Sequence, residues 1–422
     1  MRIIEGFDFC PLTFDDRGKL ESREEFDQLT DRAKAAPATD AVFIAHGFRN
    51  DATEATALYT RFLKTFRAHV SRPEFRALAE RRFVVAGIFW PSKPFRENFD
   101  PGADGTRGLH DDSRVMADVK AQLEELKHDT SPDERRKLEK AIAMLPTLEG
   151  HPKAQDQFVE LVLSLIEDSA LDQTEGIAQL RRRSGSETLA RLSGAAPDGT
   201  RGIGGVFGTI AGGVGQFLNL TNWYVMKDRS GAVGAKGVAD AVRALHASRP
   251  AIRLHLVGHS LGGRLMASCA KTLCETPKLQ IDSLMLLEAA FSHFGFSPNN
   301  GRGTPGFFRD VIAEQVVKGP FVSTFSAQDT VVGQAYSIMS RLAGDNTREI
   351  GDASDEFGGI GRNGPQRTGE VATFPLNAAG RPYEYKADVI NNLDGSGGLI
   401  KNHGDVTNDA VTYAFASAGA RT

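Results

Sequence analysis

The chain has 422 residues, of which 41% are apolar and 25% charged, and its formal net charge is −4. That suits one large α/β domain with insertions, or two domains, and gives no global electrostatic reason to expect nucleic acid as a partner. Three cysteines, Cys10, Cys269 and Cys274, make no disulfide framework. Acidic residues interrupt any apolar run at the N-terminus, so no signal peptide is read. A reduced, cytoplasmic protein is expected, with signal-independent export as the alternative.

Ala41-Val-Phe-Ile-Ala45 reads as a short buried strand, the third of the chain, leading into His46-Gly47-Phe48. Asp51 is placed to cap a helix that runs to about Val70. Phe83–Phe89 is the next strand, stopped by Trp90-Pro91. From about 105 to 200 the pattern is helical and strongly charged, with no strand signal. Ser131-Pro-Asp-Glu134 is a capping box with proline at the first helical position, and Phe158, Leu161, Val162, Leu165 and Ile166 recur at helical spacing. This region reads as a helical insertion, a cap. Arg181-Arg-Arg183 within it reads as a solvated face, with contact to an anionic substrate or lipid as the lesser alternative.

Gly202–Met226 carries no charged residue. Its length approaches that of a membrane span, but its glycines, Gln216, Asn219 and Asn222 weaken both hydrophobicity and helicity. It is expected to be an apolar flap over the active site; reversible contact with a membrane surface is the alternative. The expected organisation is 1–104 as a first core part, 105–224 as helical insertion with flap, and 225–422 as a second core part. Ile252–Val257, Ser283–Leu287 and Phe321–Ser326 are further strands. Residues 344–380 read as a long glycine-rich loop, and Tyr383–Ile390 as the last strand.

The most informative stretch is Arg253-Leu-His-Leu-Val-Gly-His-Ser-Leu-Gly-Gly263. An apolar run meets a helical pattern with Ser260 at the apex of a sharp turn, and Gly258 and Gly262 leave room for a close approach of backbones. A bare GxSxG arises by chance about once in four chains this rich in glycine, so the strand–turn–helix context carries the signal. A serine hydroxyl needs a base, and the base needs an orienting carboxylate. With the chain order serine, acid, histidine, His403 in Asn402-His403-Gly404-Asp405 is assigned as base, because His293 comes too early. Asp329, just past Phe321–Ser326, is assigned as acid, with Glu288 and Asp405 as competitors. The oxyanion that forms when a serine attacks a carbonyl needs donors. The backbone N–H groups of Leu261 and Phe48 are expected to supply them. His46, Gly47, His259 and Trp90 are placed on the substrate side, although His46 is expected to act by holding its loop, and Phe89 and Trp90 suit core packing as well as an acyl pocket. No HxH or HExxH spacing marks a metal site, and Gly202–Gly208 lacks the lysine of a phosphate loop, so no metal and no cofactor are expected.

Ala45-His46-Gly47-Phe48, Gly258-His259-Ser260-Leu261-Gly262-Gly263, Gln328-Asp329 and Asn402-His403-Gly404, in this order, resemble the α/β-hydrolase superfamily. Pro11–Asp15, Phe43–Asp51, Phe89–Ser92 and Met226–Gly234 are similar to segments of a group of bacterial esterase- and lipase-like proteins. The resemblance spans roughly 1–100 and 225–422. It implies an α/β fold with a mostly parallel central sheet, helices on both faces and a helical cap. It also implies a serine hydrolase acting on a small-molecule ester or lipid through an acyl-enzyme. A thioesterase, an amidase or peptidase on the same residues, and a non-catalytic binding module remain the alternatives.

Overall fold

Nine strands form one sheet in the computed structural model, which describes residues 2–35, 38–92, 112–127, 131–166, 177–193, 210–343, 353, 355–381 and 383–422. In chain order they are β1 (Arg2–Ile4), β2 (Phe7–Thr13), β3 (Asp40–Ala45), β4 (Phe83–Phe89), β5 (Arg253–His259), β6 (Ser283–Leu287), β7 (Phe321–Phe325), β8 (Val371–Pro375) and β9 (Ile390–Asp394). They lie side by side as β1-β2-β4-β3-β5-β6-β7-β9-β8, and every neighbouring pair is parallel except β1 with β2. The fold is therefore α/β with a mostly parallel sheet.

The near-continuous apolar runs of β3, β4 and β6 follow from helices covering both faces. Along β4, Val84, Ala86 and Ile88 enter one core, and Phe83, Val85 and Phe89 enter the other. The second core is closed by the helices Ala52–Val70 and Asp409–Gly419, and the first by Arg23–Ala35, Ile210–Ala232 and Leu261–Leu273. Asp51 caps Ala52–Val70 through a reciprocal capping box with Glu54, and Ser131 caps Pro132–Met144 in the same way with Glu134.

Between β4 and β5 every described element is helical, as the charge and spacing pattern predicts. The stretch expected to be a flap differs. Residues 202–209 lie outside the described residues, and from Ile210 the chain forms a helix to Ala232. Of residues 210–226 only Gln216 is exposed, and Val214, Phe217, Leu218, Leu220 and Trp223 join the first core. The glycines argue against a helix by local propensity, but burial on nearly all sides overrides that preference. A methyl at Gly213 would stand 2.4 Å from the Leu189 carbonyl, so its small size admits the neighbouring helix Gly185–Leu192. Among the described residues no helix is long and apolar enough to cross a membrane.

Two further expectations shift. The last strand of the chain begins where the expected one ends, at Ile390, and the stretch 383–389 before it is irregular. The glycine-rich 344–380 region contributes the edge strand β8, which ends in Pro375; an edge tolerates proline because no neighbour needs its missing N–H.

Candidate active site

Strand β5 passes into the helix Leu261–Leu273 through Ser260 alone. Ser260 has φ 57° and ψ −124°, a conformation that strains a residue bearing Cβ. Four main-chain bonds hold it there: its N–H donates to Leu287 at 3.0 Å, and its carbonyl accepts from Gly263 at 2.9 Å, Ala290 at 3.0 Å and Arg264 at 3.4 Å. A methyl at Gly258 would lie 2.1 Å from the Gly262 carbonyl, so strand and helix approach as the motif predicts. A methyl at Gly262 would instead strike the carbonyls of His46 and Ala45, at 2.4 and 2.5 Å. The second glycine therefore serves the approach of the helix to β3.

The three sequence-predicted residues of the chemical chain come together. His403 Nε2 is 2.8 Å from Ser260 Oγ, and His403 Nδ1 is 2.8 Å from Asp329 Oδ2. Asp329 is fully buried; its second oxygen accepts the Val332 N–H at 2.9 Å. With Nδ1–H donated to the carboxylate, Nε2 is left to accept the serine proton. The loops carrying acid and base are tied to each other: Ser326 Oγ donates to the Ile400 carbonyl at 3.0 Å, and the Ala327 N–H donates to Ser396 Oγ at 2.9 Å. Asp405 is a turn residue that receives the Lys401 N–H. His293 is buried beside Asn363 and stands apart from this chain.

Gly47 brings its loop against the serine: a methyl there would stand 2.7 Å from Ser260 Cβ. The loop is held from behind. His46 donates Nδ1–H to the Gly47 carbonyl at 2.9 Å, and Asn50 Nδ2 donates to the same carbonyl and to that of Phe48. Because C=O and N–H of one trans peptide point oppositely, this turns the Phe48 N–H away from those donors. Leu261 opens its helix, so its N–H has no intrahelical acceptor. Burial lowers the His46 pKa to about 4, which keeps the ring neutral.

Of the residues expected on the substrate side, His46 and Trp90 are sealed within the protein. Their rings stack with centroids 5.6 Å apart, and Trp90 Nε1 donates to the His46 carbonyl at 3.1 Å. Both act on the loop. His259 is also buried, and it donates Nε2–H to the main-chain carbonyl of His403 at 2.7 Å. Burial, then the neighbouring His403, lower its pKa to about 3. Three loop supports escaped sequence reading: Tyr59, whose hydroxyl accepts the His46 N–H and donates to Ile88, Asn50, and Ser92, whose Oγ donates to the Asn50 carbonyl. Asn50 and Ser92 had stood out only as members of the segments Phe43–Asp51 and Phe89–Ser92, without a role, and Tyr59 not at all.

Distance alone does not make such a site. Asp40, His255 and Ser283 form a second acid–histidine–serine chain, at 2.9 and 2.8 Å. It lies near the amino ends of β3, β5 and β6, fully buried, with Arg81 also on Asp40. Ser260 and Asp329 lie instead beyond the carboxyl ends of β5 and β7, where open α/β sheets bind ligands. Glu288, Asp329 and His403 form a cluster whose ligand atoms lie within 4.8 Å of one another. Both ring nitrogens of His403 are already engaged, so a cation there would break the serine–histidine–acid chain. Comparison with protein-family models, with curated proteins and with solved structures finds no match to this chain.

Proposed function

We propose that this chain is a serine hydrolase of the α/β-hydrolase kind that cleaves a carboxylic ester through an acyl-enzyme. The observation that carries the reading is the hydrogen-bonded series Ser260–His403–Asp329, seated on a strained turn between β5 and its helix. His403 Nε2 takes the Ser260 proton as Oγ attacks the ester carbonyl. The N–H groups of Leu261 and Phe48 receive the oxyanion, each worth about 3 kcal/mol in the transition state. His403 then protonates the leaving alkoxide, so the alcohol departs and the acyl group stays on Ser260. A water, deprotonated by the same nitrogen, releases the acid and restores the serine. Asp329 holds the Nδ1–H and stabilises the imidazolium. This chemistry requires no metal or organic cofactor.

A thioester, amide or peptide would use the same groups, and no described feature selects among them. A lipid acyl chain gains no support from residues 210–226, which are packed inside the core. The test is labelling by a fluorophosphonate probe, wild type against Ser260→Ala and His403→Ala, followed by an ester chain-length series beside thioester and peptide substrates. Labelling of wild type alone supports the reading. A folded protein that stays unlabelled, with or without detergent, would favour a binding module on this fold.

A further inference from the structure

The helix Ile210–Ala232 runs on as a π-helical stretch, Val233–Val238, before the helix Ala239–Ser248. Wide turns of this kind recur at functional sites. Gly234 lies hard against the helix Leu261–Leu273: a methyl there would stand 2.0 Å from the Leu265 carbonyl. About one turn earlier, at Gly231, the two helices part. A methyl at Gly231 would meet nothing nearer on the facing helix than Arg264 Nη2 at 3.6 Å and Ser268 Oγ at 3.8 Å.

A cavity of about 580 Å³ opens at this gap, a size that suits a small organic ligand. Leu126, Leu138, Leu165, Val225 and Phe307 supply apolar walls, and the exposed Arg17 and Lys236 mark its mouth. Ser260, Asp329 and His403 do not line it, so it is separate from the candidate active site.

Two donor side chains line the cavity at the gap. Arg264 is almost fully buried; its Nε donates to the Lys227 carbonyl at 3.1 Å, and its guanidinium lies over the rings of Phe307 and Phe308. Ser268 is 4% exposed, and its hydroxyl has no hydrogen-bond partner among the described residues. A serine inside a helix ordinarily donates to the carbonyl four residues back or turns to solvent. Ser268 does neither, and burying a hydroxyl that way costs stability that an alanine would not lose. The partner it lacks has room to stand in the cavity. Five basic and four acidic side chains line the space, a balance of +1 that one negative charge neutralises. A carboxylate accepts from a guanidinium with one oxygen and from a hydroxyl with the other.

We propose that this cavity binds an organic carboxylate with an apolar body. Its carboxylate lies in the gap left by Gly231 and accepts from Arg264 and Ser268, and its apolar body lies against the leucines and Phe307. A dianion would leave charge uncompensated among the acidic side chains, and a cation would face the guanidinium. Binding here does not depend on the serine chemistry.

The experiment is calorimetric titration of the full chain with decanoate, beside decanol, decylamine and decyl phosphate, in wild type, Gly231→Ala and Ser268→Ala. Wild type should bind decanoate at least about tenfold more tightly than the neutral and cationic analogues, as a charge-assisted contact requires. Gly231→Ala puts a methyl in the gap at ordinary contact distance and improves helix propensity. It should therefore raise the melting temperature while weakening decanoate by about tenfold or more. Ser268→Ala loses no protein partner, so it should melt no lower than wild type and bind decanoate about fivefold more weakly. If Gly231→Ala melts below wild type, Ser268→Ala alone decides. No decanoate binding in wild type would overturn the proposal, and so would decanol, decylamine or decyl phosphate binding as tightly as decanoate. Equal decanoate affinity in all three proteins would place the ligand elsewhere, the candidate active site included, and would also overturn it.

Discussion

His259, the residue immediately before the candidate nucleophile, donates Nε2–H to the main-chain carbonyl of His403, the candidate base, at 2.7 Å. The two partners are 144 positions apart in the chain. The strand end that presents Ser260 thereby also sets the backbone of the loop that presents its base. Removing the donor leaves a part-buried carbonyl unpaired and frees the loop. His259→Phe should slow fluorophosphonate labelling by about tenfold or more, while Ser260 remains the labelled residue. Mass mapping of the probe beside a rate measurement checks both parts; an unchanged rate would remove His259 from the positioning of His403.

The loop Gly47-Phe48 should be equally sensitive from two sides. Gly47→Ala pushes a methyl to within 2.7 Å of Ser260 Cβ, and is expected to lower labelling by about 100-fold through displacement of the Phe48 donor. Tyr59→Phe leaves the His46 N–H and the Ile88 carbonyl without their shared partner, and should cost about 1–3 kcal/mol in denaturant unfolding.

Stability should fall on both sides of a maximum near pH 6.5. Burial lowers His46 to about 4 and His259 to about 3, so both stay neutral in the native state while the unfolded chain takes up protons below 6.5. Their contribution is present above 6.5 and lost as pH falls, at about 1.4 kcal/mol per pH unit for each histidine. Glu288, raised to about 10, acts with the opposite sign: its contribution is lost as pH rises above about 4.5. Urea unfolding from pH 4 to 9 measures the balance, and a plateau extending to pH 9 would contradict the alkaline limb.

The second acid–histidine–serine chain supplies a control. Ser283→Ala should leave labelling unchanged and cost about 1 kcal/mol of stability, as expected for one buried hydrogen bond. Asp40→Asn should cost more, about 3 kcal/mol, because it breaks a buried pair with Arg81 and His255. Burial pushes the Asp40 carboxyl up, but hydrogen bonds from His255 and Thr39 and the charge of Arg81 bring it below its usual range. The Asp40→Asn loss should therefore shrink as pH falls through that depressed value.

What the sequence determined by itself was whatever depends on near neighbours. The turn at Ser260, the capping boxes at Asp51 and Ser131, and the strands β3 to β7 follow from glycine placement, cap chemistry and hydrophobic period, which act within a few residues. The order serine, acid, histidine placed Ser260, Asp329 and His403 on one site: the first two follow legible strands, whereas His403 rests on its place in that order and on Asn402-His403-Gly404, since the strand before it begins at Ile390 and not at Tyr383. Tertiary structure alone decided what burial and distant partners control. It made a buried helix of Ile210–Ala232 against the preference of its glycines, and a sheet edge of Val371–Pro375 despite a weak strand pattern. It turned His46, Trp90 and His259 inward to hold loops, and it set Glu288 near Asp329 with no hydrogen-bond partner for its carboxyl among the described residues. Desolvation and long-range hydrogen bonding have no local signature, so these roles emerged only from the folded chain.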